Sequence, residues 1–430
     1  MLKRILGTIG VRYVVAALNL LLIFVNGKVL GVSGMGLAGV IYASANIALI
    51  FNSVLCGNTI VYFMNRYDFR YVLWPAYVWA FIGSALACGG MKLTGLLPAG
   101  FESDVYCLAV ILSLVTIHSR ILLGKDHIRS FNITFLIQGG LLFFSLLYLY
   151  YVIGIREAKG YVWGLYMTNG IAWFVSLALI LPFFFRQSVE TKSAPSSIRK
   201  LLKEMFVYGL WSSADNLAEG LTARLNYFLV QRLSGYSHVG LLDAGTKISE
   251  SVWHISRSVS FISYSQVART TALEEQRQMT LRFLKLTFCA ITLVMGIILL
   301  IPEWVYTDYL FSSEFQGIRK VIRGLAVGII TLGSNSILSH YFIGTGKVRY
   351  STACSCIGLI VLVFSGYFLI PAYGVYGSAV STSIAFSSML TFSLIVFIRL
   401  TSTRFKDFLP TKADFRTKEQ GNERSKGDYP

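Results

Sequence analysis

The chain has 430 residues, of which 55% are hydrophobic and 14% charged, with 38 Lys and Arg against 21 Asp and Glu. An ordinary soluble domain carries about 25% charged residues, and a soluble chain of this size could not keep so much apolar surface from water. A nucleic-acid protein would group its cations on a soluble basic domain. Here they stand in short clusters between apolar runs long enough for the roughly 20 residues that cross a bilayer.

The runs are continuous and not alternating, which excludes a transmembrane barrel. They predict an all-α polytopic membrane protein of twelve spans. The first six are 10–30, 38–64, 71–91, 105–123, 131–153 and 161–185; the second six are 205–231, 239–264, 283–301, 321–343, 350–370 and 375–398. Spans seven and eight stand apart because they carry internal charges.

With the N-terminus on the cytoplasmic side, most Lys and Arg fall in cytoplasmic segments, and Lys28, Lys92, Arg156, Lys159, Arg232, Arg319, Lys320 and Arg323 fall on the other side. The positive-inside rule therefore puts both termini in the cytoplasm. Arg319, Lys320 and Arg323 depart from it: either the span starts later than 321, or three cations line its outer mouth. Lys3 and Arg4 before an apolar stretch read as an uncleaved first span, since Arg12 interrupts it and eleven spans follow.

A polar stretch, 186–204, divides the spans six and six and predicts lobes 1–185 and 205–398, with a disordered cytoplasmic tail at 399–430. The halves share marks. Gly31 and Gly36 match Gly235 and Gly240 at an offset of 204, and Gly124 and Gly154 match Gly344 and Gly374 at an offset of 220. Two halves of even span number would share one orientation and be related by an axis along the membrane normal.

No motif here carries a cofactor. Cys354-Ser-Cys356 lacks a second pair at zinc spacing. Gly344-Thr-Gly-Lys347 is not a phosphate loop, because Tyr341 holds its first glycine position and Val348 its Ser/Thr position.

Charges inside spans are costly and usually face a partner or a wet cavity. Span eight carries Lys247, Glu250, His254 and Arg257 at steps of three, four and three, hence on one face. Lys247 with Glu250, or Glu250 with His254, could pair. With two cations and one carboxylate the stripe is expected to be net positive and to face an anion. Span seven carries Asp215 and Glu219 one turn apart, and Arg224. The two carboxylates suit a proton or sodium site, or else pair with Arg224 and the cations of span eight. Arg12 in span one either snorkels to the surface or lines the cavity. The polar positions of span two, Asn46, Asn52, Ser53 and Asn58, line that cavity or bond between packed helices.

Three segments carry a resemblance. Leu30-Gly-Val-Ser-Gly-Met-Gly-Leu37, Gly240-Leu-Leu-Asp-Ala-Gly-Thr-Lys247 and Leu369-Ile-Pro-Ala-Tyr-Gly-Val-Tyr-Gly-Ser378 look like motifs of O-antigen and exopolysaccharide flippases of the multidrug/oligosaccharidyl-lipid/polysaccharide exporter superfamily. The resemblance covers about residues 1–400. It implies a non-enzymatic protein of the bacterial inner membrane, with two six-helix lobes around a central cavity. The implied cargo is a polyprenyl-pyrophosphate-linked oligosaccharide, with membrane lipids and other polysaccharide-assembly proteins as partners. The implied headgroup cations are Arg12, Lys247 and Arg257, with Arg224 a weaker candidate. Asp215, Glu219 or Glu250 would couple transport to a proton or sodium ion.

Two rivals stand beside this. A multidrug exporter of the same superfamily would favour a net-acidic cavity. A membrane-embedded polysaccharide polymerase or ligase would need a long outer catalytic loop, and the outer segments 92–104 and 302–320 are short.

Overall fold

The computed structural model describes residues 2–64, 66–185, 197–270 and 272–408. The described residues are almost wholly helical and contain no strand. Helices α1 (Leu2–Cys56), α2 (Asn58–Met64), α3 (Phe69–Leu93), α4 (Glu102–Gly124), α5 (Ile128–Leu147), α6 (Ala158–Phe185), α7 (Ile198–Ser234), α8 (Tyr236–Arg269), α9 (Leu273–Leu300), α10 (Ile318–Gly344) and α11 (Val348–Thr401) follow in chain order.

Among the described residues eight stretches are long and apolar enough to cross a membrane, and two of these, 10–64 through α1 and α2 and 348–401 along α11, run to 55 and 54 residues. At 1.5 Å per residue each is more than twice a bilayer's thickness. Both are broken by a glycine in a non-helical conformation, Gly31 (φ 66°, ψ −178°) and Gly374 (φ 57°, ψ −132°). An L side chain rarely adopts such a positive φ, so glycine lets the chain reverse without a loop. The apolar runs predict a loop at 31–37 between spans one and two, whereas the helix resumes at Val32. Helices α7 and α8 have the length of a span, 37 and 34 residues, but their charges keep them outside the apolar set.

Within the first half, α1 packs on α3, α4 and α5, and α6 packs on α4 and α5. Within the second, α10 packs on α8, α9 and α11, and α11 on α7. The halves meet where α1 contacts α7 and α8. The core there draws Ile23, Val32 and Met35 from one half and Phe228, Val239 and Leu242 from the other.

The glycine matches are conformational as well as sequential. Gly31 (φ 66°, ψ −178°) and Gly235 (φ 82°, ψ 176°) adopt nearly the same backbone 204 residues apart. At offset 220 the helix ends repeat bond for bond. Lys125, Asp126 and His127 donate to the carbonyls of Ile121, Leu123 and Leu122, as Thr345, Gly346 and Lys347 do to those of Tyr341, Ile343 and Phe342. Asp126 (φ 58°) and Gly346 (φ 74°) hold the same left-handed position in the two turns.

Three expectations on boundaries are corrected. Helix α10 begins at Ile318, so Arg319, Lys320 and Arg323 sit in its first turns; the helix starts earlier than drawn, not later, and Arg319 donates to the Leu299 carbonyl at 3.1 Å. Helix α7 begins at Ile198, so 198–204 is helix and not linker, while 186–196 lie outside the described residues. Past Arg399 the chain folds into a short turn, Phe405–Phe408, where Asp407 pairs with Arg277 at 2.8 Å. The rest of the tail lies outside the described residues.

Candidate functional site

Helix α8 crosses the middle of the molecule with one charged face, because Asp243, Lys247, Glu250, His254 and Arg257 recur at steps of four and three. The Lys247 ammonium donates to Asp243 Oδ2 at 2.7 Å. Asp243, only 2% exposed, also accepts the Tyr227 hydroxyl at 3.0 Å on Oδ1. Arg224 donates to the Tyr227 oxygen at 3.0 Å and to Glu250 Oε2 at 3.2 Å. The result is a continuous chain, Lys247–Asp243–Tyr227–Arg224–Glu250, shared by α7 and α8.

This arrangement redistributes the charge of the expected net-positive stripe: Lys247 and Glu250 are each paired, and the remaining positive charge is that of Arg257. Asp243, one turn before Lys247, neutralises it, and Arg224 neutralises Glu250. Lys247 and Glu250 do not pair with each other; each takes a partner of its own. A buried carboxylate without such a cation would be strongly penalised, which is why the pairs close on themselves.

Beside this chain lies a cavity of about 200 Å³. Asn19 and Asn26 of α1, Tyr42 beyond the Gly31 break and Tyr161 of α6 line one wall, and Lys247, Glu250 and His254 of α8 line the other. Tyr150 donates to Asn26 Oδ1 at 3.0 Å and so fixes that amide. The wall is therefore rich in hydrogen-bonding groups and carries one ammonium and one carboxylate.

Arg12 and Arg257 stand one helical turn beyond the cavity-lining Ala16 and His254, toward the start of α1 and the end of α8. Both are exposed and lie near enough to interact electrostatically. The adjacent residues fix the approach, since Tyr13 and Ser258 share a hydrogen bond of 2.9 Å between their hydroxyls. The Arg257 guanidinium stacks over the Trp253 ring at 3.9 Å, and Arg12 lies over Phe135 at 6.0 Å. Neither arginine lines the cavity itself.

Other singled-out residues fall elsewhere. Glu219 is half-buried on α7, and the Asp215 side chain lies outside the described residues. Asn52 is a packing residue, bonded to Ser84 and Ser113 at 2.8 Å each. Asn46 and Ser53 bond back to their own helix, and Asn58 is exposed. His118 is wedged between Tyr77 and Ser176. Among the described residues no cluster of His, Cys, Asp and Glu could hold a metal ion. Sequence reasoning missed Asp243 and Tyr227. Extending the α8 face one step toward its start would have found the first, and the three-residue step from Arg224 the second.

Fold and site together define a polytopic helical membrane protein with a polar cavity between its helices. No family model matches the chain. It shares its fold with solved transporters of one superfamily. An inward-facing multidrug resistance MATE family transporter of the MOP superfamily superposes with a TM-score of 0.65 at 15% identity, covering 90% of this chain and 94% of that one. The lipid II flippase MurJ, in an inward closed conformation, superposes with 0.60 at 14% identity, covering 95% and 89%. A MOP superfamily transporter from Pyrococcus furiosus, described for the reversed polarity of its binding pocket, gives 0.54 at 14% identity over 92% and 94%. In sequence, a Shigella flexneri protein that carries the name of O-antigen transporter is 20% identical over 211 residues, 48% of this chain and about half (49%) of that relative's length.

Proposed function

We propose that the protein is a membrane transporter that turns a polyprenyl-pyrophosphate-linked oligosaccharide from the cytoplasmic to the periplasmic leaflet by alternating access, as part of surface polysaccharide synthesis. The observation that carries this reading is the convergence of Arg12 and Arg257, from opposite halves of the chain, each one helical turn beyond a residue of the polar cavity's lining, Ala16 and His254. Two like charges held together invite an anion of more than one negative charge. A pyrophosphate cannot cross apolar lipid unassisted, because its desolvation is too costly. Cations beside a wet cavity can replace its hydration while the amides of Asn19 and Asn26 and the hydroxyls of Tyr42 and Tyr161 suit sugar. The sequence likeness to an O-antigen transporter and the fold shared with MurJ support the same reading.

In this reading the lobes are 1–185 and 205–398, six spans each, with both termini cytoplasmic in the inner membrane. Lys247 contacts the headgroup after the two arginines, and Asp215, Glu219 or Glu250 binds the coupling ion. Replacing Arg12 and Arg257 together by Ala should remove surface glycan in a host lacking its own flippase. Undiminished glycan at normal protein level would overturn the anion site.

A second reading, a multidrug exporter, is favoured by one observation: the cavity walls pair their charges, so Lys247 and Glu250 leave no large positive excess there. Resistance of the host to cationic drugs, abolished by E250Q and indifferent to the two arginines, would decide for it.

A further inference from the structure

We propose that Asp243 links headgroup binding to proton uptake: an anion that engages Lys247 takes the cation from a buried carboxylate, and that carboxylate accepts a proton. This rests on the reading of the cargo as a pyrophosphate-bearing lipid.

Lys247 faces the cavity, with 25% of its side chain exposed, while Asp243 lies behind it at 2% and is absent from the cavity wall. An anion in the cavity therefore reaches the ammonium and not the carboxylate. Asp243 has little room to follow its partner. Its Cγ lies 3.2 Å from where a Cβ on Gly39 would stand, so the neighbouring backbone closes over it. Its surroundings are otherwise phenolic. Tyr227 of α7 donates to Oδ1, and Tyr161 of α6 lies within electrostatic reach of the carboxylate. On its own helix stand Lys247 and Glu250, and from α7 comes Arg224, already bonded to Glu250. Lys247 is thus the cation in direct contact with Asp243.

When the ammonium turns to a phosphate, or keeps one hydrogen bond to each acid, the carboxylate meets new negative charge with less compensation. Both effects favour the neutral acid. The step is balanced: one solvent proton adds to Asp243, and Lys247 remains an ammonium. Restoring the Lys247–Asp243 pair on release expels that proton.

The test uses full-length protein in lipid nanodiscs with farnesyl pyrophosphate as the probe. Calorimetry in buffers of different ionisation enthalpy counts protons taken up on binding. Wild type should take up about one proton more than D243N, and its affinity should fall about tenfold per pH unit relative to D243N where the linkage operates. D243N, whose Lys247 has no carboxylate to hold it, should bind tighter at high pH. Equal proton uptake in the two overturns the inference. A readout on wild type alone guards against a variant that does not fold: infrared difference spectra should gain the carbonyl band of a protonated acid when the probe is added, and a spectrum without it overturns the linkage. Failure of wild type to bind the probe overturns the headgroup reading as well, whereas binding without extra proton uptake overturns this inference alone.

Discussion

Gly36 and Gly240 seat the two halves of the chain on each other reciprocally. A methyl group at Gly36 would stand 1.9 Å from the Tyr236 carbonyl oxygen, and one at Gly240 would stand 1.9 Å from the Val32 carbonyl oxygen. Val32 and Tyr236 are themselves separated by the offset that relates the two glycines, so the contact is its own image. Backbone presses on backbone on both sides, and no side chain can rotate away.

Gly36→Ala and Gly240→Ala should each therefore lower stability by about 1–3 kcal/mol, or more, the range for overpacking a rigid contact. Gly90, helical and with nothing within 4 Å of its missing methyl, is the control. There Ala should be neutral or stabilising by up to about 1 kcal/mol. Thermal unfolding in detergent checks all three, and an unshifted midpoint for the first two variants would show that the halves do not meet in this way.

The apolar runs made most of the fold legible. A span in lipid must satisfy its own backbone, so length and hydropathy alone mark it. The Gly31 and Gly235 match was legible as a spacing, and its meaning, a repeated positive-φ turn, only in the backbone angles. Helix ends were the weak point. Polar first turns, as at Ile198 and Ile318, are helical by hydrogen bonding while apolar composition says nothing of them. The site was half legible. Periodicity put Lys247, Glu250 and Arg257 on one face, but which acid a cation takes depends on distances between α7 and α8. Asp243 escaped notice because a single carboxylate near a span's start reads as interfacial, whereas here it is buried.

Glu314 closes the far end of the molecule across the halves. Its Oε2 accepts the Val32 N–H at 2.9 Å, one of the donors left orphaned where α1 restarts after Gly31. A cap is typically worth about 1 kcal/mol. Glu314→Ala should therefore raise hydrogen exchange at residues 32–35 about fivefold, with Glu314→Gln between it and wild type. Unchanged exchange in the Ala variant would leave the carboxylate no role in holding this end shut.

The Arg224–Glu250 pair separates packing from transport. Each side chain is 23% exposed, so breaking the pair should cost less than a fully buried one, about 1–3 kcal/mol. Arg224→Met leaves Glu250 uncompensated and should lower the yield of folded protein; adding Glu250→Gln should restore it. If the double variant folds but loses the proton or sodium dependence of transport in vesicles, Glu250 carries the coupling ion. If it folds and keeps that dependence, Glu250 is removed from the coupling candidates.

The start of the tail offers a pH test outside the membrane spans. The Asp407 carboxyl is held below its ordinary value of 3.8, first by the Arg404 backbone N–H at 3.0 Å and then by Arg277, which donates to Oδ2 at 2.8 Å. A depressed carboxyl pKa contributes stability that is complete above the unfolded value and is lost as pH falls through the folded one. The turn at Phe405–Phe408 should therefore stay docked at neutral pH and loosen only below about pH 4. Because the Asp407 side chain is still 35% exposed, salt should weaken the docking as well. Asp407→Asn should loosen it at every pH, and trypsin cleavage after Arg404 and Lys406 would report this directly. Equal cleavage of variant and wild type at neutral pH would mean that the ion pair does not hold the tail. Faster cleavage of the variant at neutral pH is the outcome the geometry requires.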